Sequence, residues 1–421
     1  MKPILSISRG FLAGGMFTFA LACPVAPTLA REDEKPAPTA SFSDVEADTV
    51  NKLLFEGKAA EVVKMLESHP AVAAKQRKAE IPYALALLRT GREREATTIA
   101  WRYKRTTESD LAALELVGYV LFAAGQYDQA KSYFKLAQLY VKESKNSADI
   151  EPAFNLARCE AYLRLDDASA AALRAFESKR DELPKGLVDE SIGRLAVKRA
   201  EKNVAAGLYD DATVAFLDQA VAFLPNDVAV HNMLAGVLIQ RADYVRAEEV
   251  IGTMERKFDS NLELVQTQRA LIQEKKGNLD QAMRLAGDAI TLSGRKLLPA
   301  LLIYSRCALR LSKYDDARRP LDDALNVSAT SVEARLLMSE YLFYRVRNTS
   351  EAKDRTQFFE QIERHLRQAI NVEPMAVEPF EQLVQLYTLW GEKKKFEMSV
   401  AQKDLDNRIQ VRAMQQKAKK P

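Results

Sequence analysis

Cysteine and histidine are scarce in this sequence, and each scarcity excludes something. Of three cysteines in 421 residues, Cys23 falls in an N-terminal apolar stretch, which leaves Cys159 and Cys307. Two cysteines cannot form the framework of a disulfide-stapled secreted domain. The three histidines, His69, His231 and His365, each stand without a second histidine or cysteine at ligand spacing, so no metal site is expected. With only 16 Gly and 15 Pro, the chain lacks the turn punctuation of a sheet-rich protein. An excess of one charge is also missing, with 61 basic residues against 58 acidic ones. Residues 1–30 hold Lys2 and Arg9 and no acid, so without them the balance is 59 minus 58, or +1. Such a surface has no long-range field to hold a phosphate backbone, and no nucleic-acid partner is expected. No phosphate loop, HExxH, GxSxG or dinucleotide fingerprint occurs, so neither enzymatic activity nor a cofactor is expected.

What the sequence does contain begins with an export signal. Lys2 and Arg9 form a basic region, residues 11–23 an apolar stretch, and 24–30 a helix-breaking segment ending Thr28-Leu29-Ala30. This pattern predicts a signal peptide over 1–30, cleavage after Ala30, and a mature protein outside the cytoplasm, in the bacterial periplasm. Later segments fall short of the roughly 20 consecutive apolar residues of a membrane span, so none is expected after cleavage. The alternative is a lipobox at Ala20-Leu21-Ala22-Cys23, which would make Cys23 a lipidated first residue at the outer membrane. Residues 31–43, rich in Pro, Ala and charge, read as a flexible leader.

From residue 44 a unit recurs: an apolar helix, a short turn with Gly or Asp, often an aromatic, then a small residue opening a second helix. The clearest copy spans 111–137. Gly118 lets two helices approach, Gly125 and Tyr127 form the turn, and Ala130, Phe134 and Ala137 share one helical face. Taking the small residue as a marker gives Val62, Ala96, Ala130, Ala171, Ala212, Ala247, Ala282, Ala317 and Ala352. The steps between them are 34, 34, 41, 41, 35, 35, 35 and 35 residues. The two long steps contain the polar stretches 142–149 and 179–185, expected as longer loops or helices. About ten additional residues around 353–361 predict a long second helix or a protruding loop in the ninth unit. A partial tenth copy lies between 377 and 400, and a polar helix, 401–417, is expected to cap the array before a basic tail ending at 421.

The Gly118, Ala130, Phe134 and Ala137 pattern resembles the tetratricopeptide repeat, and the resemblance extends over the repeats from 44 to 400. It implies an all-α fold, a right-handed α-solenoid of about nine to ten stacked helical hairpins whose first helices line an inner groove. A family set of Lys, Asn and Arg that grips a C-terminal carboxylate is incomplete here. Asn232 is suitably placed, but the next repeat supplies Thr267, Gln268 and Leu271 instead of basic residues.

Cys159 and Cys307 fall on first helices several repeats apart. Stacking at roughly 8–10 Å per helix layer takes them far past the ~7 Å bridging limit, so both are expected as buried packing residues. The Asp pairs 166–167, 210–211 and 315–316 recur at equivalent turns and read as helix starts rather than acid-base pairs. The inner groove remains as the candidate site, with Tyr119, Phe122, Asn232, Arg306 and Arg310 as its residues. An apolar groove flanked by arginines suits other proteins or an extended or helical peptide segment. The expected role is a non-enzymatic scaffold in the cell envelope, or alternatively a lipid-anchored accessory of a pilus, secretion or polysaccharide-export system.

Overall fold

The computed structural model describes residues 41–104, 110–143 and 149–418. The signal peptide, Cys23, most of the leader and the last three tail residues lie outside them. The described residues form helices and turns, with no strand among them.

Ten helical hairpins follow one another. They are α1 (Asp44–Phe55) with α2 (Ala59–Leu66), then, after the single turn α3 (Pro70–Ala73), α4 (Arg77–Arg89) with α5 (Glu93–Tyr103), α6 (Leu111–Ala123) with α7 (Tyr127–Glu143), and α8 (Glu151–Arg164) with α9 (Asp167–Arg174). Next come α10 (Leu187–Ala205) with α11 (Asp211–Phe223), α12 (Val228–Gln240) with α13 (Tyr244–Lys257), and α14 (Leu262–Lys275) with α15 (Leu279–Leu292). The last three are α16 (Leu298–Arg310) with α17 (Tyr314–Val327), α18 (Val332–Arg347) with α19 (Ala352–Val372), and α20 (Glu378–Trp390) with α21 (Lys395–Ala418). The array starts where Ser43 caps α1 in a reciprocal capping box with Glu46. At the other end α21 runs unbroken through the boundary expected between 400 and 401, so the tenth second helix and the cap are one element.

Each hairpin packs on the next, which gives the tetratricopeptide-like solenoid. Most successive first helices also touch, as α4 does α6, α12 does α14, α14 does α16 and α16 does α18. Second helices of neighbouring repeats make no comparable contact among the described residues. Closer spacing on one side bends the stack, so first helices line the concave face and second helices the convex one.

Buried residues set the register of the second helices. In α7 they are Ala130, Phe134 and Ala137, and the same i, i+4, i+7 triplet recurs as Ala247, Ile251, Met254 in α13 and Ala317, Leu321, Ala324 in α17. Three expected markers are corrected by this rule. Ala171, Ala212 and Ala352 are exposed, and the buried equivalents are Ser169, Thr213 and Ile362. The irregular steps are therefore 39 (130 to 169), 44 (169 to 213) and 45 (317 to 362) residues. Ser169 and Thr213 are polar because each hydroxyl donates to an Asp three residues earlier, to Asp166 at 2.7 Å and Asp210 at 2.8 Å. The same aspartates cap α9 and α11 by accepting from the backbone N–H groups of Ser169 and Thr213. Asp167 and Asp211 form ion pairs with Arg199 and Arg241 of the following repeat. Asp315 and Asp316 sit in the first turn of α17 without capping it. The added residues of the ninth unit form a continuous 21-residue helix, α19, rather than a loop.

The turn inside the hairpin is equally regular. Five residues before the marker the backbone is left-handed in six repeats, at Gly57, Gly91, Gly125, Gly277, Ala242 and Ser312. At Gly125 this lets Gln126 N–H reach the Leu121 carbonyl at 2.9 Å, closing the first helix.

Candidate functional site

First helices are apolar over most of their circumference, so one side packs against their own second helix and another meets the next first helix. Tyr119 and Phe122 of α6 meet α8 in this way. The Tyr119 hydroxyl accepts from Asn155 Nδ2 at 2.8 Å and donates to the Glu151 carboxylate. Arg158 lies over the Phe122 ring at 3.6 Å, and the Tyr162 ring packs on Phe122 at 4.9 Å. Tyr119 and Phe122 are only 6% and 7% exposed, so in this conformation they serve mainly as packing between repeats three and four.

An acidic pair accompanies them. Burial raises the Glu115 carboxyl well above the ordinary range, and repulsion from Glu151 and Asp149 adds to it. Burial also raises Glu151, opposed by the Tyr119 hydrogen bond and the positive charges of Arg89 and Arg158. One Glu115 oxygen, Oε1, is enclosed without a hydrogen-bond partner, as is Arg158 Nε.

Asn232 of α12 is half-buried, and its side-chain oxygen accepts from Gln268 Nε2 of α14 at 2.8 Å. Gln268, which makes the family's carboxylate grip incomplete, thus occupies Asn232 within the chain. Arg306 of α16 binds backward to Glu274 of α14 through two hydrogen bonds, at 2.8 and 2.7 Å, and forward to Glu333 of α18. Burial alone would lower the Arg306 pKa, but these carboxylates together hold it raised. Arg310, one turn on, is 54% exposed and approaches Glu274 at 4.0 Å. Of the five expected residues, Arg310 alone offers a largely free charged group.

The five do not converge on one groove. Tyr119 and Phe122 share Arg158 in repeats three and four, Arg306 and Arg310 share Glu274 in repeats seven and eight, and Asn232 stands between these clusters. Sequence reasoning missed Glu115, Glu151, Arg158 and Glu274, the partners that fix this surface. Their signal is present in the register, since a first-helix charge or phenol recurs opposite them 32 to 39 residues along: Glu274 to Arg306, Tyr119 to Glu151 and Arg158.

The remaining chemistry-bearing residues are in structural roles. Cys159 and Cys307 are buried free thiols, and burial pushes them up to about 12 and about 11. His69 caps α3 by accepting from Ala71 N–H, and His231 is buried with Nδ1 2.9 Å from the Asp227 carbonyl oxygen. His365 is half-buried beside Arg335, and burial with the charges of Arg335 and Arg364 lowers it to about 4. Among the described residues no cluster of His, Cys, Asp or Glu could hold a metal ion, and no helix is long and apolar enough to cross a membrane.

No protein-family model matches the sequence, and no curated protein matches it. Among solved structures the chain is similar to one from the APC/C hetero-tetramer Cut9–Hcn1, at 11% identity over 87% of this chain and 71% of that chain, with a TM-score of 0.45. It is similar to human IFIT1, solved as a dimer with m7Gppp-AAAA, at 14% identity over 73% and 71%, TM-score 0.42. Yeast Tom70 is similar at 11% identity over 89% and 96%, TM-score 0.39. The likeness is one of paired helices in series, and what those proteins bind is a property of those proteins.

Proposed function

We propose that this chain is a non-enzymatic scaffold, exported to the bacterial cell envelope, that docks other proteins or peptide segments on the concave face of its solenoid. The observation that carries the reading is the wall of repeats seven to nine. There Leu271 of α14 and Leu336 of α18 are partly exposed, and α16 between them carries the exposed Arg310. A partly apolar wall with a directed cation fits a peptide segment that carries apolar side chains and a carboxylate. The test is photo-crosslinking in envelope extracts with a crosslinker at position 310, against one on the convex face at Val245, which is 77% exposed. Partners recovered from 310 and not from 245 support the reading. Equal recovery from both, or none above background, rejects it.

A second reading rests on Ala20-Leu21-Ala22-Cys23 and makes the protein a lipid-anchored accessory of a pilus, secretion or polysaccharide-export system. Mass spectrometry of the mature N-terminus separates the two. An unmodified start at Arg31 supports the soluble exported form, and a lipidated Cys23 the anchored one.

A further inference from the structure

The segment between α9 and α10, residues 175–186, departs from the neighbour-to-neighbour rule of the array. It begins as a 3-10 stretch, Ala175–Glu182, in which Phe176 packs edge-on against Phe154 at 5.4 Å. It then extends through Leu183 and turns at Gly186, whose φ is +81°. In the extended part the Lys185 N–H donates to the Phe55 carbonyl, at the end of α1, at 2.7 Å. The two residues are 130 positions apart (185 minus 55). Every other hydrogen bond between hairpins among the described residues joins positions 36 apart or fewer. Leu183 is 1% exposed and belongs to the apolar cluster that also contains Leu54 and Val188. Exposed Arg180 pairs with half-buried Asp189 at 2.9 Å beside it.

The first helices α1, α4, α6, α8 and α10 form one curved wall, so a contact from the start of α10 back to α1 joins the wall's two ends. We propose that residues 175–186 are a clasp that closes repeats one to five into a ring. The aromatic inner residues Tyr119, Phe122 and Tyr162 lie in the half so closed, and repeats six to ten remain an open arc. The clasp is held lightly: one backbone hydrogen bond and the buried Leu183, Pro184 and Val188 secure it, and a recess of about 330 Å³ opens between Phe55 and these residues.

Gly57 supplies the means of testing this. A Cβ built there would stand 3.8 Å from the Lys185 Cβ, the usual ~3.8 Å spacing across a disulfide, and the φ of +77° strains any side chain at this position, a cost that the Gly57→Cys single variant reads by itself. In the full-length mature chain, the Gly57→Cys/Lys185→Cys pair is expected to form an intramolecular disulfide under air oxidation, read by mass spectrometry and reversed by dithiothreitol. The two single variants serve as controls. Replacing Leu183 with Asp is expected to speed amide exchange in α1, α2 and α6 at least tenfold and to leave α14 to α18 unchanged. Should Leu183→Asp abolish helicity throughout, Leu183→Ala carries the same exchange measurement. Absence of the disulfide in a folded chain overturns the clasp, and so does exchange in α1 that ignores the Leu183 substitution. Neither readout uses a partner, so the result is separate from that of the docking experiment.

Discussion

Two mid-helix glycines should respond to the same substitution with opposite sign. Gly118 in α6 faces α7, and a Cβ placed there would lie 2.8 Å from both Cε1 and Cζ of Phe134 and 3.1 Å from Cδ1. Carbon atoms prefer about 3.5–4.0 Å, so the shortfall is about 0.7 Å or more. Phe134 is fully buried and meets Tyr119 edge-on at 5.4 Å. Its ring cannot retreat without disturbing the Tyr119 contacts to Glu151 and Asn155. Overpacking of this kind costs about 1–3 kcal/mol, offset by about 1 kcal/mol of recovered helix propensity. Gly118→Ala should therefore destabilise the protein by up to about 2 kcal/mol. At Gly236 in α12 the nearest atom to a new Cβ is Gln268 Nε2, 3.9 Å away, so only the propensity gain remains. Gly236→Ala should stabilise by about 0.5–1 kcal/mol. Urea unfolding followed by far-UV circular dichroism compares the two, with amide exchange assigning the change to repeats three or six, since a repeat array need not unfold in one step. Trimming Phe134 to Leu in the Gly118→Ala background should recover part of the loss. The reasoning fails if both glycine substitutions shift the midpoint in the same direction.

Ala242 and Ser312 occupy the left-handed turn position that glycine fills in four other repeats, so Ala242→Gly and Ser312→Gly should each raise the urea midpoint by up to about 1 kcal/mol in stability. An unchanged or lowered midpoint in both would contradict the strain argument. Burial, with repulsion from Glu151 and Asp149, raises the Glu115 carboxyl, so it favours folding below its unfolded pKa near 4.5 and loses that contribution as pH rises toward the folded value. Glu115→Gln should accordingly stabilise the protein more at pH 8 than at pH 4, and thermal melts at the two values check the difference. His365, lowered to about 4, should keep a neutral ring signal in NMR spectra from pH 7.5 down to about 5. Because the unfolded ring titrates near 6.5, its contribution to stability is complete above that value and falls as the pH drops toward 4. A midpoint near 6.5 in the folded protein would refute the burial argument.

The hairpins were legible in the sequence because each is a local object. Ala130, Phe134 and Ala137 lie within one helix, and the turn before them is written in Gly125 and Tyr127. The register was misread where a polar residue does a small apolar residue's work. Ser169 and Thr213 are tolerated inside because an aspartate three positions earlier accepts a hydrogen bond from each hydroxyl, and the alanines nearby mimic the expected marker. Ala352 misleads for another reason, since α19 begins ten residues, nearly three turns, before the marker position Ile362. The concave face was less legible. Tyr119 and Arg306 do lie on first helices, but their availability depends on Asn155, Glu151, Glu274 and Glu333 in adjoining repeats. The link between Lys185 and Phe55 had no local signal, since it depends on the accumulated curvature of four repeats.

The asymmetry between touching first helices and separated second helices has a mechanical consequence. The concave side acts as a hinge line, whereas the gaps between second helices leave the convex side room to close at each of the nine junctions between hairpins, which flattens the curve. Small rotations there would add along the array, so tension applied at the two ends should first lengthen the molecule as a soft spring, before any helix unravels.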